Sequence, residues 1–401
     1  MPRHPDHSSA VASIRGSVFS SLAHRLRDHR GETYPLHVGD TWMEPPVGCR
    51  MQDLTVEDHP GMHRYAPPHG LPELVEAVAR RVTRRTGVDT GADDVLLAAG
   101  ATGALGAVMG AIVDGGEEVL VLAPHWPLIA GIVSSFHAKP VAVPFYDRVG
   151  EDEAPEAAVA AVAAHASPRT VALYLNTPNN PTGRVVPRAQ VRALVEWAVR
   201  RGLWVISDEV YEDYVYRGEH TYARPFAPER TFSAYSFSKG YGMAGNRCGY
   251  VVGPAEAMDQ VRKVSTHTFY SAPTASQLAA LGCLRGWGGE PAADGESPGD
   301  RWVATARERY RQLGEAAAQR LGVAPPEGST FLFLDVADHL DADPASRGLL
   351  GFLEDCVDRG LFLAPGASFG PYPDHVRLCF TSAEPERVER GVEVLARLLG
   401  R

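Results

Sequence analysis

The sequence predicts an α/β protein built on a mostly parallel sheet, and three observations carry that prediction. Between Asp94 and Gly253, six short apolar runs alternate with helix-length segments. The runs are apolar throughout, as expected of strands covered on both faces. Every polar motif falls at the end of such a run or on the loop after it, where ligands bind in open α/β sheets.

Strands are expected at Val95–Ala99, Glu118–Pro124, Thr170–Asn176, Leu203–Asp208, Phe232–Ser236 and Cys248–Val252, with helices such as Thr102–Val113 and Pro187–Arg201 between them. This alternation implies right-handed crossovers and helices on both faces. Upstream, a strand is expected at Tyr34–Val38. Pro72, in a first turn, and Leu71, Leu74, Val75, Val78 and Val82, on one face, mark an amphipathic helix. Downstream, the Gly-, Pro- and acid-rich run Gly286–Asp300 is expected to form an exposed loop near a domain boundary. The remainder reads as α+β. Helices are expected around Trp302–Leu321, Leu349–Arg359 and Pro385–Leu399, and strands at Phe331–Asp335 and His375–Phe380.

Composition narrows the function classes. A chain of 401 residues with 44% apolar and 22% charged residues can build a sizeable core. No apolar run approaches the roughly 18 residues of a membrane helix, and Met1–Arg15 lacks the apolar stretch of a signal peptide. A soluble, cytoplasmic protein is therefore expected. Five widely spread cysteines suit neither a disulfide framework nor a zinc site. A formal charge of −10 offers no attraction to nucleic acid or an anionic membrane.

Three motifs carry chemistry. In Tyr235-Ser236-Phe237-Ser238-Lys239 a lone lysine follows a strand end. It is either a surface lysine or, if partly desolvated, a nucleophilic amine. Asn176-Thr177-Pro178-Asn179-Asn180-Pro181-Thr182-Gly183 is a rigid turn that can aim the Asn180 amide at the sheet end. In Ser207-Asp208-Glu209-Val210-Tyr211, Asp208 ends an apolar run. A carboxylate there needs a cation or a strong donor, unless it caps a helix.

Together these resemble the class I/II aminotransferases, the fold-type I pyridoxal-phosphate enzymes. The resemblance runs from about Tyr34 to Phe380 and rests on Asn180, Asp208 with Tyr211, Ser236 with Lys239, Arg247 and Arg377 in that order. It implies a large domain (50–286) with a seven-stranded, mostly parallel sheet flanked by helices. The N-terminal segment (1–49) would join a smaller α+β domain (287–401) built from both termini. It also implies pyridoxal 5'-phosphate as cofactor and amino-group transfer between an L-amino acid and a 2-oxo acid, through a Lys239 aldimine and a quinonoid. Catalysis would fall to Lys239, Asp208 and Tyr211. Asp208 would pair with the ring nitrogen, and Asn180 and Tyr211 with the phenolic oxygen. Ala101, Thr102, Ser236 and Arg247 would hold the phosphate at a helix N-terminus. Trp126 would stack on the ring, and Arg377, Gly39, Asn180 and Trp126 would meet the substrate. Tyr65 would reach the phosphate of a second subunit, which makes a homodimer with shared sites the expected assembly.

The sequence departs from the dicarboxylate-specific members at one point. They carry a second arginine near the position of His267, and Val264–Pro273 contains none. His267 can contact a polar substrate group or cap local structure, and Trp42 is placed near the entrance. A β- or γ-eliminating lyase, a cyclising synthase or an oxidase on the same fold is the alternative activity, because these reactions share the same carbanion chemistry. A cofactor-sensing transcription regulator is disfavoured, since too few residues precede Tyr65 for a winged-helix domain and no basic recognition helix is evident.

Overall fold

The computed structural model describes residues 7–12, 14, 16, 22, 25, 29–285, 297–340 and 347–401. Seven strands form the large sheet: β1 (Val95–Ala98), β2 (Glu118–Ala123), β3 (Lys139–Pro144), β4 (Thr170–Asn176), β5 (Trp204–Asp208), β6 (Thr231–Ser236) and β7 (Gly249–Val252). Their order is β1-β7-β6-β5-β4-β2-β3. Only β7 runs antiparallel to its neighbours. The carboxyl ends of β1, β2, β4, β5 and β6 therefore open on one edge.

Period-2 alternation divides the core. Val119 and Val121 of β2 pack, with Ala172 and Tyr174 of β4, under the helices α2 (Gly100–Ile112), α3 (Pro127–Ser135) and α6 (Ala255–Thr268). Leu120 and Leu122 pack, with Leu173 and Leu175, under α4 (Pro155–Ala163) and α5 (Arg188–Arg200) on the other face. The amphipathic α1 (Pro72–Thr86) and α7 (Thr274–Arg285) cover β1, β6 and β7. Leu71, the residue before Pro72, is extended, as a residue preceding proline prefers, and α1 ends at Gly87 in the left-handed region.

A second sheet, β8 (Phe331–Asp335), β10 (His375–Cys379) and β9 (Ala364–Pro365), is antiparallel in the order β8-β10-β9. It packs with α8 (Pro298–Leu321), α9 (Leu349–Asp358) and α10 (Pro385–Leu398). Leu36 joins this core from the N-terminal side, and its carbonyl accepts the Cys379 N–H at 2.8 Å. Both ends of the chain thus build the smaller α+β unit.

The structure corrects the sequence reading at three places. Tyr34–Val38 makes only a single bridge to Leu361, because the Leu36 N–H turns back to the Tyr34 carbonyl at 2.9 Å. Strand β3 was not anticipated; it lies at the sheet edge and contains Pro140 and Pro144, where proline is tolerated. Of the expected loop Gly286–Asp300, residues 286–296 lie outside the described residues, and 298–300 already belong to α8. Among the described residues no helix is long and apolar enough to cross a membrane.

Candidate active site

A cavity of about 340 Å³ opens at the carboxyl ends of the large sheet. Gly39, Ala101, Thr102, Trp126, Asn180, Asp208, Tyr211, Ser236, Lys239, Arg247 and Arg377 all line it. Tyr65, expected at the phosphate of a second subunit, does not line it. It is 86% exposed, with its ring edge-on to Tyr270 at 5.2 Å.

The lysine sits in the helical turn Phe237–Gly240, whose N-cap Ser236 accepts the Ser238 N–H at 3.0 Å. Tyr214, buried under this turn, donates to the Lys239 carbonyl at 2.8 Å. The Lys239 ammonium donates to the Gly39 carbonyl, which ties the N-terminal segment to the large unit. Burial lowers the pKa of the Lys239 amine, moving it toward its nucleophilic form. A side chain at Gly39 would crowd Phe331, whose Cζ would lie 3.0 Å from the added Cβ.

Asp208 ends β5 and is buried, with no cation against its carboxylate among the described residues. Tyr174 donates to Oδ2 at 2.6 Å, and the Val210 N–H approaches Oδ1 at 3.3 Å. Burial pushes the carboxyl up to about 6, against the pull of these two donors. Asn176 braces the same corner. Its Nδ2 donates to the Asp208 carbonyl at 2.8 Å, and its Oδ1 accepts the Asn180 N–H at 2.7 Å.

Arg377 projects from the middle strand of the small sheet. Its Nη1 donates to Asn180 Oδ1 at 2.9 Å and its Nη2 to the His37 carbonyl at 2.6 Å. Its guanidinium lies over Phe331 and Phe369, at 4.3 and 4.8 Å from the ring centres. Since Asn180 accepts through Oδ1, its amide nitrogen remains to donate into the cavity. Burial lowers the Arg377 pKa. No carboxylate forms a hydrogen bond or close ion pair with Arg377, Lys239 or Arg247 among the described residues, although the Asp40 charge acts on Lys239 from farther off.

At the other end of the cavity α2 begins without a side-chain cap, so the N–H groups of its first turn are available to an anion. Arg247, itself in the left-handed region, lays its guanidinium against Gly100. Gly100 has φ +74°, in the left-handed region that favours glycine, and a Cβ there would fall 2.5 Å from Arg247 Nη2 and displace the guanidinium. Three cations without a close carboxylate, an uncapped helix end and a buried, unpaired carboxylate together fit a phosphorylated, protonated heterocycle beside a carboxylate-bearing substrate.

The other candidates lie outside the cavity. His267 is exposed, and its Nδ1 meets the Lys263 carbonyl of its own helix at 2.8 Å. Trp42 packs against the small-unit core. Sequence reasoning missed Tyr174, Asn176 and Tyr214. Tyr174 sits inside an apolar run, where an aromatic residue reads as core and only strand register brings its hydroxyl to Asp208.

Residues 41–395 match the family aminotransferase class I and II. The chain is 33% identical over 344 residues to a probable aspartate/prephenate aminotransferase of Thermus aquaticus, covering 84% of each chain. It is 32% identical over 416 residues to an arginine–pyruvate transaminase of Pseudomonas aeruginosa, covering 99% of each. Among solved structures it resembles the aspartate aminotransferase from Thermus thermophilus with maleate, with a TM-score of 0.84, 28% identity, and coverage of 98% of this chain and all of that one. Family, fold and cavity agree: this chain belongs to the class I and II aminotransferases, which move amino groups with pyridoxal phosphate.

Proposed function

We propose that Lys239 carries pyridoxal 5'-phosphate in this cavity and that the site exchanges an amino group between an L-amino acid and a 2-oxo acid. The observation that carries the reading is the pairing, in one cavity, of a desolvated lysine with a buried carboxylate that lacks a cation. When bound, the cofactor supplies an electron-withdrawing ring that stabilises negative charge at the substrate's α-carbon.

This chain's residues do the rest. Asp208 accepts the ring N–H. The Asn180 amide and the Tyr211 hydroxyl donate to the phenolic oxygen, and Trp126 covers the ring face. Backbone N–H groups at Ala101 and Thr102, with Ser236 and Arg247, hold the phosphate. Arg377, seated by Asn180 and the His37 carbonyl, takes the substrate carboxylate beside Gly39. The Lys239 amine then removes the α-proton. Tyr65, exposed on one chain, reaches the phosphate site of a second copy, so the working unit is a homodimer. The domains divide near residues 50 and 286. Five buried, unpaired cysteines support a cytoplasmic location.

The test is an absorption spectrum of the cofactor-loaded enzyme during addition of single amino acids, with aspartate, arginine and aromatic donors included. A donor should bleach the visible band and release its 2-oxo acid, and a second 2-oxo acid should restore the band. Ammonia release or oxygen uptake instead would favour a lyase or an oxidase.

A further inference from the structure

Asp208 has two oxygens and two kinds of neighbour. Oδ2 receives the Tyr174 hydroxyl at 2.6 Å, Oδ1 receives a long bond from the Val210 N–H at 3.3 Å, and the residue lines the cavity. Strand register sets this up. Tyr174 lies opposite Ile206 and Asn176 opposite Asp208, so Tyr174 and Asp208 are diagonal neighbours on one sheet face. Tyr174 is fully buried in the core beneath α2, α3 and α6 and cannot swing away. Besides Tyr174, the titratable groups that interact electrostatically with Asp208 are Glu209, Tyr211 and Tyr146. Glu209 is turned toward Ser207, Ser233 and the Ala223 N–H, Tyr211 lines the cavity, and Tyr146 donates to the Asn176 carbonyl. Tyr174 is therefore the side-chain hydroxyl that donates to this carboxylate.

We infer that Tyr174 is a positioning residue that fixes the Asp208 carboxylate toward the cofactor's ring nitrogen and weakens it as a base. The inference rests on the site reading proposed above. A proton between a carboxylate and a pyridine nitrogen settles on the stronger base. A phenol donating to the far oxygen lowers the carboxylate's proton affinity, so the proton stays on the ring and the ring keeps its electron-withdrawing power. Burial alone works the other way, which is why the donor is needed. The tyrosine cannot itself supply the proton, because burial and the adjacent carboxylate hold its own pKa far above the usual range.

The test is Tyr174→Phe, which keeps the ring and removes the hydroxyl, loaded with cofactor labelled with 15N at the ring nitrogen. The expected result is a 15N shift moved toward the neutral pyridine value. Cofactor dissociation should be about 10-fold easier and kcat about 10- to 100-fold lower, with KM nearly unchanged. In an Asp208→Asn background the same substitution should change none of these. A 15N shift equal to that of the unaltered enzyme would overturn the inference and leave Tyr174 as packing. If the Phe variant does not fold, ring-fluorinated tyrosines at position 174 decide the matter. The shift must move stepwise with phenol acidity, and a flat series overturns the inference. Borohydride reduction of the unaltered enzyme separates the two layers of argument. An adduct on Lys239 with an unmoved 15N shift sinks this inference alone, whereas no adduct sinks the site reading and this inference with it.

Discussion

Asp208 and Asp213 lie five positions apart and are both buried, yet their surroundings are opposite. Asp213 faces Arg85 Nη2 at 2.7 Å and Arg81 Nη2 at 3.2 Å, and its neighbour Glu212 takes Arg85 Nη1 at 2.8 Å. Arg81 also reaches Asp300 on α8 at 3.5 Å, joining the large unit to the small one. Burial alone would raise the Asp213 pKa, but the two arginines hold it below its ordinary value. Asp208 has hydrogen-bond donors and no cation, and burial prevails at about 6. One cluster is neutralised within the protein and serves the fold. The other is left without a cation, as the proposed cofactor site requires.

If that contrast is right, substitutions in the two regions separate activity from stability. The largest effect is expected for Lys239→Ala, which should lower turnover by about 10³- to 10⁴-fold while leaving the urea midpoint of the cofactor-free protein nearly unchanged. A large loss of stability would place Lys239 among the structural charges. Next comes Asp213→Asn, which removes one carboxylate from the buried Arg81 and the half-buried Arg85 but leaves them Glu212 and Asp300, and should cost about 3 kcal/mol of stability in urea unfolding. Residual activity per folded molecule should stay within about twofold, since Asp213 does not line the cavity.

Asp208→Asn should do the reverse. The folded carboxyl sits near 6, against an ordinary value of 3.8, so the folded chain binds this proton more tightly than the unfolded one. The ionised group therefore burdens the empty protein above pH 6, and the burden disappears as pH falls from about 6 to about 4. At pH 8 the cofactor-free Asn variant should be more stable than the unaltered protein by about 2–3 kcal/mol, and by almost nothing at pH 4. Saturating cofactor should invert the order, because only Asp208 can accept the ring N–H as an anion. An Asn variant that is less stable at pH 8 without cofactor would show that Asp208 belongs with the structural charges.

The same contrast explains what the sequence could and could not disclose. The strands and helices around Asp208, Ser236 and Asn180 were legible within a residue or two, because apolar runs and turn residues act locally. Lys239, Arg247 and Arg377 were legible as a pattern, and the fold brings them into one cavity although they span 138 positions from first to last. Tyr174 was not legible, since its partner is set by the register between β4 and β5. Nor was the Arg81–Asp213–Asp300 network, whose members come from α1, the loop after β5 and α8. Charge on an amphipathic helix reads as solvated surface until the element packed against it is known.

Tyr65 tests the exposed end of this comparison. Its hydroxyl lies outside its own chain's cavity and its side chain is 86% exposed, so its removal costs one chain almost nothing. A phosphate contact made across a dimer is one charge-assisted hydrogen bond in a site that already holds Arg247, Ser236 and the start of α2. Tyr65→Phe should therefore weaken cofactor binding only about 5- to 10-fold, with unchanged urea midpoint and unchanged rate at saturating cofactor. The dependence on assembly distinguishes this role from a local one. In a mixture with Lys239→Ala chains that retain Tyr65, hybrid dimers place an intact Tyr65 beside the only functional lysine. Cofactor affinity at that site should then return to the unaltered value. A defect that persists in the hybrid would assign Tyr65 to its own chain and remove the argument for a shared site.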